Sequence, residues 1–96
     1  MTIEKKMLGT TAGLKLVGWL DTLTAPALGE AVEALDSSVT DLVLDCSELE
    51  YISSAGLRQF IASHKKMNGN MTLRDVSDEI MSVIRIAGFE NRMKFE

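Results

Sequence analysis

The pattern of hydrophobic and polar positions changes period several times along this chain, and each change marks the border of an element. Thr2 to Leu8 alternates loosely, with Ile3 and Met7 on one face, and predicts an edge strand. Gly9-Thr10-Thr11-Ala12-Gly13 reads as a turn with glycine at both ends. Leu14, Leu16, Gly18 and Leu20 then alternate with Lys15, Val17 and Trp19, which predicts a second strand paired with the first as a hairpin. A helix opens after Asp21-Thr22-Leu23: Thr24 is placed to cap it, and Pro26 in the first turn gives up no needed N–H. Leu28, Ala31, Val32 and Leu35 form its core-facing stripe, and Asp36-Ser37-Ser38 ends it.

The apolar run from Leu42 to Cys46 predicts a buried strand, followed by a polar turn, Ser47-Glu48-Leu49-Glu50, and then Tyr51-Ile52. After Ser53-Ser54-Ala55-Gly56, the residues Leu57, Phe60, Ile61, His64 and Met67 recur at helical spacing. Asn68-Gly69-Asn70 stops that helix and launches a strand from Met71 to Asp75. Ser77 caps a third helix with Asp78 and Glu79 in its first turn, Ile80, Val83, Ile84 and Ala87 as its stripe, and Gly88 at its C′ position. The tail from Phe89 to Glu96 is expected to pack back through Phe95. The order β-β-α-β-α-β-α implies an α/β fold with a mixed, mostly parallel sheet, a right-handed crossover between Leu42 and Asp75, and helices on one main side or split unevenly. Residues 1–96 are expected to form a single domain.

Composition narrows the function classes. With 46% hydrophobic and 25% charged residues the chain reads as ordinary globular. A net charge of −4 argues against nucleic acid, which calls for a basic stripe. Glu4, Lys5 and Lys6 interrupt any apolar leader after Met1, and no run approaches the roughly 20 apolar residues that span a bilayer, so no membrane insertion and a cytoplasmic setting are expected. Cys46, the one cysteine, reads as a small buried hydrophobe.

The candidate chemistry sits where the central strand hands over to its helix. Ser53 and Ser54 stand at a helix N-terminus, where a serine oxygen can accept from a free backbone N–H and where the dipole favours an anion. The turn carries only half of a hydrolase elbow, because Ile52 occupies the place of the first glycine in G-x-S-x-G. His64, the one histidine, lies ten residues beyond Ser54 on the apolar stripe and reads as a packing residue. Asp45, Glu48 and Glu50 lack metal-ligand partners and read as a solvated loop, so no metal or other cofactor is expected. Ser53-Ser54-Ala55-Gly56 lacks the lysine and glycines of a phosphate loop, and Lys65-Lys66 suits a helix C-terminus. What remains is a hydroxyl without machinery to use it as a nucleophile: either a substrate for another protein's kinase or simply a helix cap. No enzymatic activity is expected.

The stretch Val43-Leu44-Asp45-Cys46-Ser47-Glu48-Leu49-Glu50-Tyr51-Ile52-Ser53-Ser54-Ala55-Gly56-Leu57 resembles the signature of STAS domains of the anti-sigma factor antagonist family, whose usual form ends in D-S-[ST]-G-L. Gly18-Trp19-Leu20-Asp21 with Thr24-Ala25, and Ile84-Arg85-Ile86-Ala87-Gly88-Phe89, are similar to two further segments of that family. The resemblance covers nearly the whole chain and implies a STAS-like fold. It implies a partner switch in which the unphosphorylated protein sequesters an anti-sigma factor that is also a serine kinase and so frees a sigma factor. Phosphorylation releases that kinase, and a PP2C-type phosphatase restores the protein. On the family register Ser54 is the phosphoacceptor, with Ser53 the alternative, and Asp21, Thr22, Thr24, Ser53, Ser54, Ala55, Gly56 and Arg58 are the partner-binding set. The family's usual Asp is replaced by Ser53 and its following Ser/Thr by Ala55, which removes a local charge and one capping group and sets a second hydroxyl beside the first. The alternative implied by the resemblance is a non-phosphorylated scaffold subunit of a signalling or lipid-transport complex.

Overall fold

The computed structural model describes residues 1–96. Strand β1 (Thr2–Leu8) turns through Gly9-Thr10 into β2 (Thr11–Leu20), and the two pair antiparallel. Helix α1 (Ala25–Glu33) leads to β3 (Asp41–Ile52), α2 (Ser54–Lys66) to β4 (Met71–Arg74), and α3 (Asp78–Ile86) to β5 (Lys94–Phe95) by way of a short 3-10 turn at Glu90–Arg92. The five strands lie in chain order, with β2 to β5 all parallel, so each helix crosses between neighbouring strands. The expected α/β order and mixed sheet are what the chain forms, with one strand more at the end.

Alternation decides which face of the sheet is covered. Ala12, Leu14, Leu16 and Leu20 of β2, Leu42, Leu44 and Cys46 of β3, and Met71 and Leu73 of β4 are buried in one cluster with Leu28 and Val32 of α1, Leu57 and Phe60 of α2, and Ile80 and Ile84 of α3. All three helices therefore share one face. On the other, Lys15 pairs with Glu48, and Asp45 and Arg74 are register partners at the surface. Burial of the Cys46 thiol pushes its pKa up to about 12, so it stays protonated within the core.

Several boundaries differ from the sequence reading. Strand β2 begins at Thr11, because Ala12 is buried opposite Met7. The polar stretch Ser47–Glu50 is no turn: β3 runs on to Ile52, and Leu49 and Ile52 are buried as its inward residues. Two register shifts against β2, between Lys15 and Val17 and between Gly18 and Trp19, absorb the break in alternation as bulges do. Helix α1 ends at Glu33, before the expected Asp36. Thr24 occupies the N-cap position without capping. Its backbone is helical (ψ −19°), whereas a capping residue is extended, as Ser53 (ψ 175°) and Ser77 (ψ 161°) are. In α3 only Ile80 and Ile84 of the expected stripe are buried; Val83 and Ala87 lie at the surface, and Ile86 is 87% exposed. Gly88 takes a positive φ (+84°) at the helix end, as a C′ residue should. The tail does return to the body, through β5, with Phe95 against the core.

One contact fixes the end of the sheet where α1 and α2 begin. The Ser53 N–H donates to the Leu20 carbonyl at 2.9 Å, and a Cβ added to Gly56 would lie 2.6 Å from that same oxygen and 2.9 Å from Leu20 and Ile52 side-chain carbons. Only glycine lets the first turn of α2 sit this close to the end of β2. Gly56→Ala is expected to cost about 1–3 kcal/mol, as overpacking does, read as a lower urea midpoint at unchanged slope. Ser77→Ala, which removes the hydroxyl that accepts from the Ile80 N–H at 3.3 Å, is expected to cost about 1 kcal/mol in the same measurement.

Candidate functional site

The Leu20 carbonyl brings two loops together, the one after β2 and the one after β3. In the first, the Asp21 carboxylate accepts from the backbone N–H groups of Leu23 (3.0 Å) and Thr24 (3.1 Å), an Asx-type turn. The Thr24 hydroxyl accepts from the Asp21 N–H at 2.8 Å and donates to the Trp19 carbonyl at 2.7 Å, so it ties the loop to the strand. The Thr24 N–H is the main reason the Asp21 pKa lies below the ordinary carboxylate value, with the Thr24 hydroxyl and the Leu23 N–H acting in the same direction against desolvation. Asp21 is thus ionised and organises its own loop, and Thr22 and Leu23 project from it into solvent.

The second loop separates the two serines by role. Ser53 is half-buried, and its hydroxyl accepts from the Gly56 N–H at 3.2 Å, so it is the N-cap of α2. The position that carries an acid in the family signature is thus a capping serine here. Ser54, the first residue of the helix, is exposed and its hydroxyl has no hydrogen bond within the chain. Ala55 is half-buried, Gly56 is buried, and Arg58 is exposed one turn further on. The sequence-predicted residues Asp21, Thr22 and Thr24 thus lie on the loop after β2, Ser53 caps α2, and Ser54, Ala55, Gly56 and Arg58 stand in the first turns of that helix.

The sequence reading left out the largest feature of this end of the molecule. The β2–β3 register sets Trp19 beside Tyr51, their rings 5.2 Å apart at 44°, and they are 57% and 45% exposed. Leu23, 89% exposed, projects from the loop that follows Trp19. The signal was present in the alternation: Trp19 precedes buried Leu20 and Tyr51 precedes buried Ile52, so both must face outward. No cavity is lined by Asp21, Ser53, Ser54, Trp19 or Tyr51, so these loops offer a surface and not a pocket.

His64 is half-buried on α2 against the Gly69 turn, ten residues and therefore about 15 Å of helix from Ser54. Asp45, Glu48 and Glu50 stand on strand β3 instead of in a loop: Asp45 accepts from the Ser47 N–H at 2.9 Å, and Glu48 faces Lys15. No helix is long and apolar enough to cross a membrane.

A family model described as Mlab, STAS domain, matches residues 3–94. The anti-sigma-B factor antagonist of Bacillus subtilis (strain 168) is 26% identical over 81 residues, spanning 81% of this chain and 74% of the relative. Among solved structures, an anti-sigma factor antagonist from Mycobacterium paratuberculosis superposes with a TM-score of 0.87 at 23% identity, over 98% of this chain and 83% of its own. The Bacillus cell fate determinant SpoIIAA in its phosphorylated form superposes with a TM-score of 0.68 at 17% identity, over 99% of this chain and 91% of its own. These structural likenesses establish the fold; the family model, spanning all but a few terminal residues, establishes that the chain belongs to the STAS-domain family, with anti-sigma factor antagonists among its relatives.

Proposed function

We propose that this protein is an anti-sigma factor antagonist, a single-domain binding module switched by phosphorylation of Ser54. Unphosphorylated, it sequesters an anti-sigma factor serine kinase and frees a sigma factor. Phosphorylated by that kinase it lets go, and a PP2C-type phosphatase returns it to the binding state. It acts in the cytoplasm, on protein partners and not on nucleic acid.

The observation that carries this reading is the division of labour between the two serines. The Ser53 hydroxyl is committed to the Gly56 N–H, while the Ser54 hydroxyl is exposed and has no hydrogen bond within the chain. A kinase can reach the second without unfolding the first turn. A phosphate at Ser54 adds about −1.5 to −2 charges at the positive end of α2, so the fold tolerates it. A partner seated over the same turn does not: it meets a bulky, hydrated dianion where it had met a hydroxyl. Trp19, Tyr51 and Leu23 supply the apolar contact area, since exposed aromatics are the residues that dominate interface energy. The flat form of the site and the lack of a base near Ser54 support a binding module over a catalyst.

The deciding experiment incubates wild type, Ser53→Ala and Ser54→Ala with ATP and the candidate kinase and reads intact mass beside a pull-down of that kinase. One added phosphate, lost only in Ser54→Ala and accompanied by weakened binding, is the expected result. Unchanged mass with binding intact overturns the switch and leaves a constitutive scaffold surface in its place. Trp19→Ala is expected to weaken kinase binding at least about tenfold by calorimetry, with Ile86→Ala, on the exposed side of α3, leaving it unchanged. Trp19 is the only tryptophan, so its emission reports the same event in wild type.

A further inference from the structure

We infer that Arg58 is the internal clamp for a phosphate on Ser54, a contact of the phosphorylated state and not of the partner; the inference rests on the reading of Ser54 just given. Ser54 and Arg58 stand four apart on α2, both exposed. At that spacing two residues share one helix face with their Cβ atoms about 5–6 Å apart. Long helical side chains lean back toward the N-terminus, which lays the Arg58 stem over the turn that begins at Ser54. An anion N-terminal to a cation at this spacing is also the favourable order along the helix dipole.

Arg58 is free for the task. The ion pairs of the molecule engage Lys15, Lys66, Arg74 and Arg85, and Arg58 takes part in none. The first turn of α2 carries no acid, and the Asp21 carboxylate of the adjoining loop is engaged by the Leu23 and Thr24 N–H groups and is the same in every variant compared below. The planar fork of Arg58 can donate two parallel N–H bonds to phosphate oxygens, which a lysine cannot. The Ser53 side chain is already committed to the Gly56 N–H, so the phosphate draws on the other free N–H groups of the turn and on Arg58 without displacing the cap. Phosphorylation thus ends in a self-contained closed arrangement. The switch protein holds its own phosphate and requires no partner arginine to stabilise the released state.

The test installs phosphoserine at position 54 during translation, so no kinase is involved, and follows its second ionisation by phosphorus NMR in wild type, Arg58→Gln and Arg58→Lys. A cation held beside the phosphate favours the dianion, so the wild-type transition is expected about half a pH unit below that of Arg58→Gln. Arg58→Lys is expected in between, and the gap is expected to close in about 1 M salt, where the Debye length is near 3 Å. The helix dipole acts equally in all three proteins, and the difference isolates Arg58. Superimposable titrations would overturn the clamp. A kinase pull-down with the same phosphoproteins separates the two readings: loss of binding without any Arg58 effect keeps the switch and removes the clamp. An Arg58 effect with binding undiminished does the reverse.

Discussion

The frame of the candidate site rests on one carbonyl. The Leu20 oxygen ends β2, accepts the Ser53 N–H and lies against the bare Cα of Gly56. That single point fastens the loop holding Asp21 to the loop holding Ser54, at the edge of the sheet where parallel strands release their chains into helices. Parallel pairing makes such a junction available, because neighbouring strands end on the same side and both of their following loops gather there. The β2–β3 register then sets the rings of Trp19 and Tyr51 side by side below the two loops. Remove the close approach at Gly56 and the first turn of α2, with its free serine, loses its anchor on β2.

The legible and illegible parts of this fold divide by the range of the interaction that fixes them. Helices α1, α2 and α3 were readable because capping and 3.6-residue periodicity act within the segment; Ser77 and Gly88 mark the third helix at both ends. The same local reasoning overcounted the stripe of α3, since Val83 and Ala87 have helical spacing but no sheet residue to cover them. Strand β3 was cut short for the opposite reason: Ser47-Glu48-Leu49-Glu50 looks like a turn locally, and only pairing with β2 through two register shifts makes it a strand. Strand β5 has two residues, too few for any period, and exists through its bonds to β4. Thr24 shows the finer limit. Its residue type suits a cap, yet the Trp19 carbonyl and the Asp21 N–H claim its hydroxyl first.

The candidate site followed the same rule. The position of the serines at a strand-to-helix border was evident from the sequence, but which of them is free was not, since both residue types and both positions suit a cap. The deciding fact is geometric: Ser53, not Ser54, has the extended backbone that aims a side chain at the N–H three residues on. Where the STAS signature usually carries an acid, serine keeps the cap and removes its charge. The acid next to the Ser54 position is therefore absent, and the Gly56 N–H keeps its acceptor.

That substitution bears on how a switch of this kind can work at all. A modification that disables binding by damaging the fold would be slow to reverse and would expose the chain to degradation, so the switched state must cost the host little while costing the complex much. Here the two costs separate cleanly. For the host, a phosphate on Ser54 would enter water beside a helix dipole and an unpaired arginine, each of which favours it by a fraction of a kcal/mol. For a complex that buries the same turn, the dianion must be stripped of water, and an uncompensated charge at an interface costs about 2–5 kcal/mol, or a factor of roughly 30 to several thousand in affinity. Under the proposed switch the asymmetry needs no conformational change, because Ser54 is exposed on a capped helix. A flat site is suited to this: a phosphate can hold two surfaces apart where it would merely line the wall of a pocket.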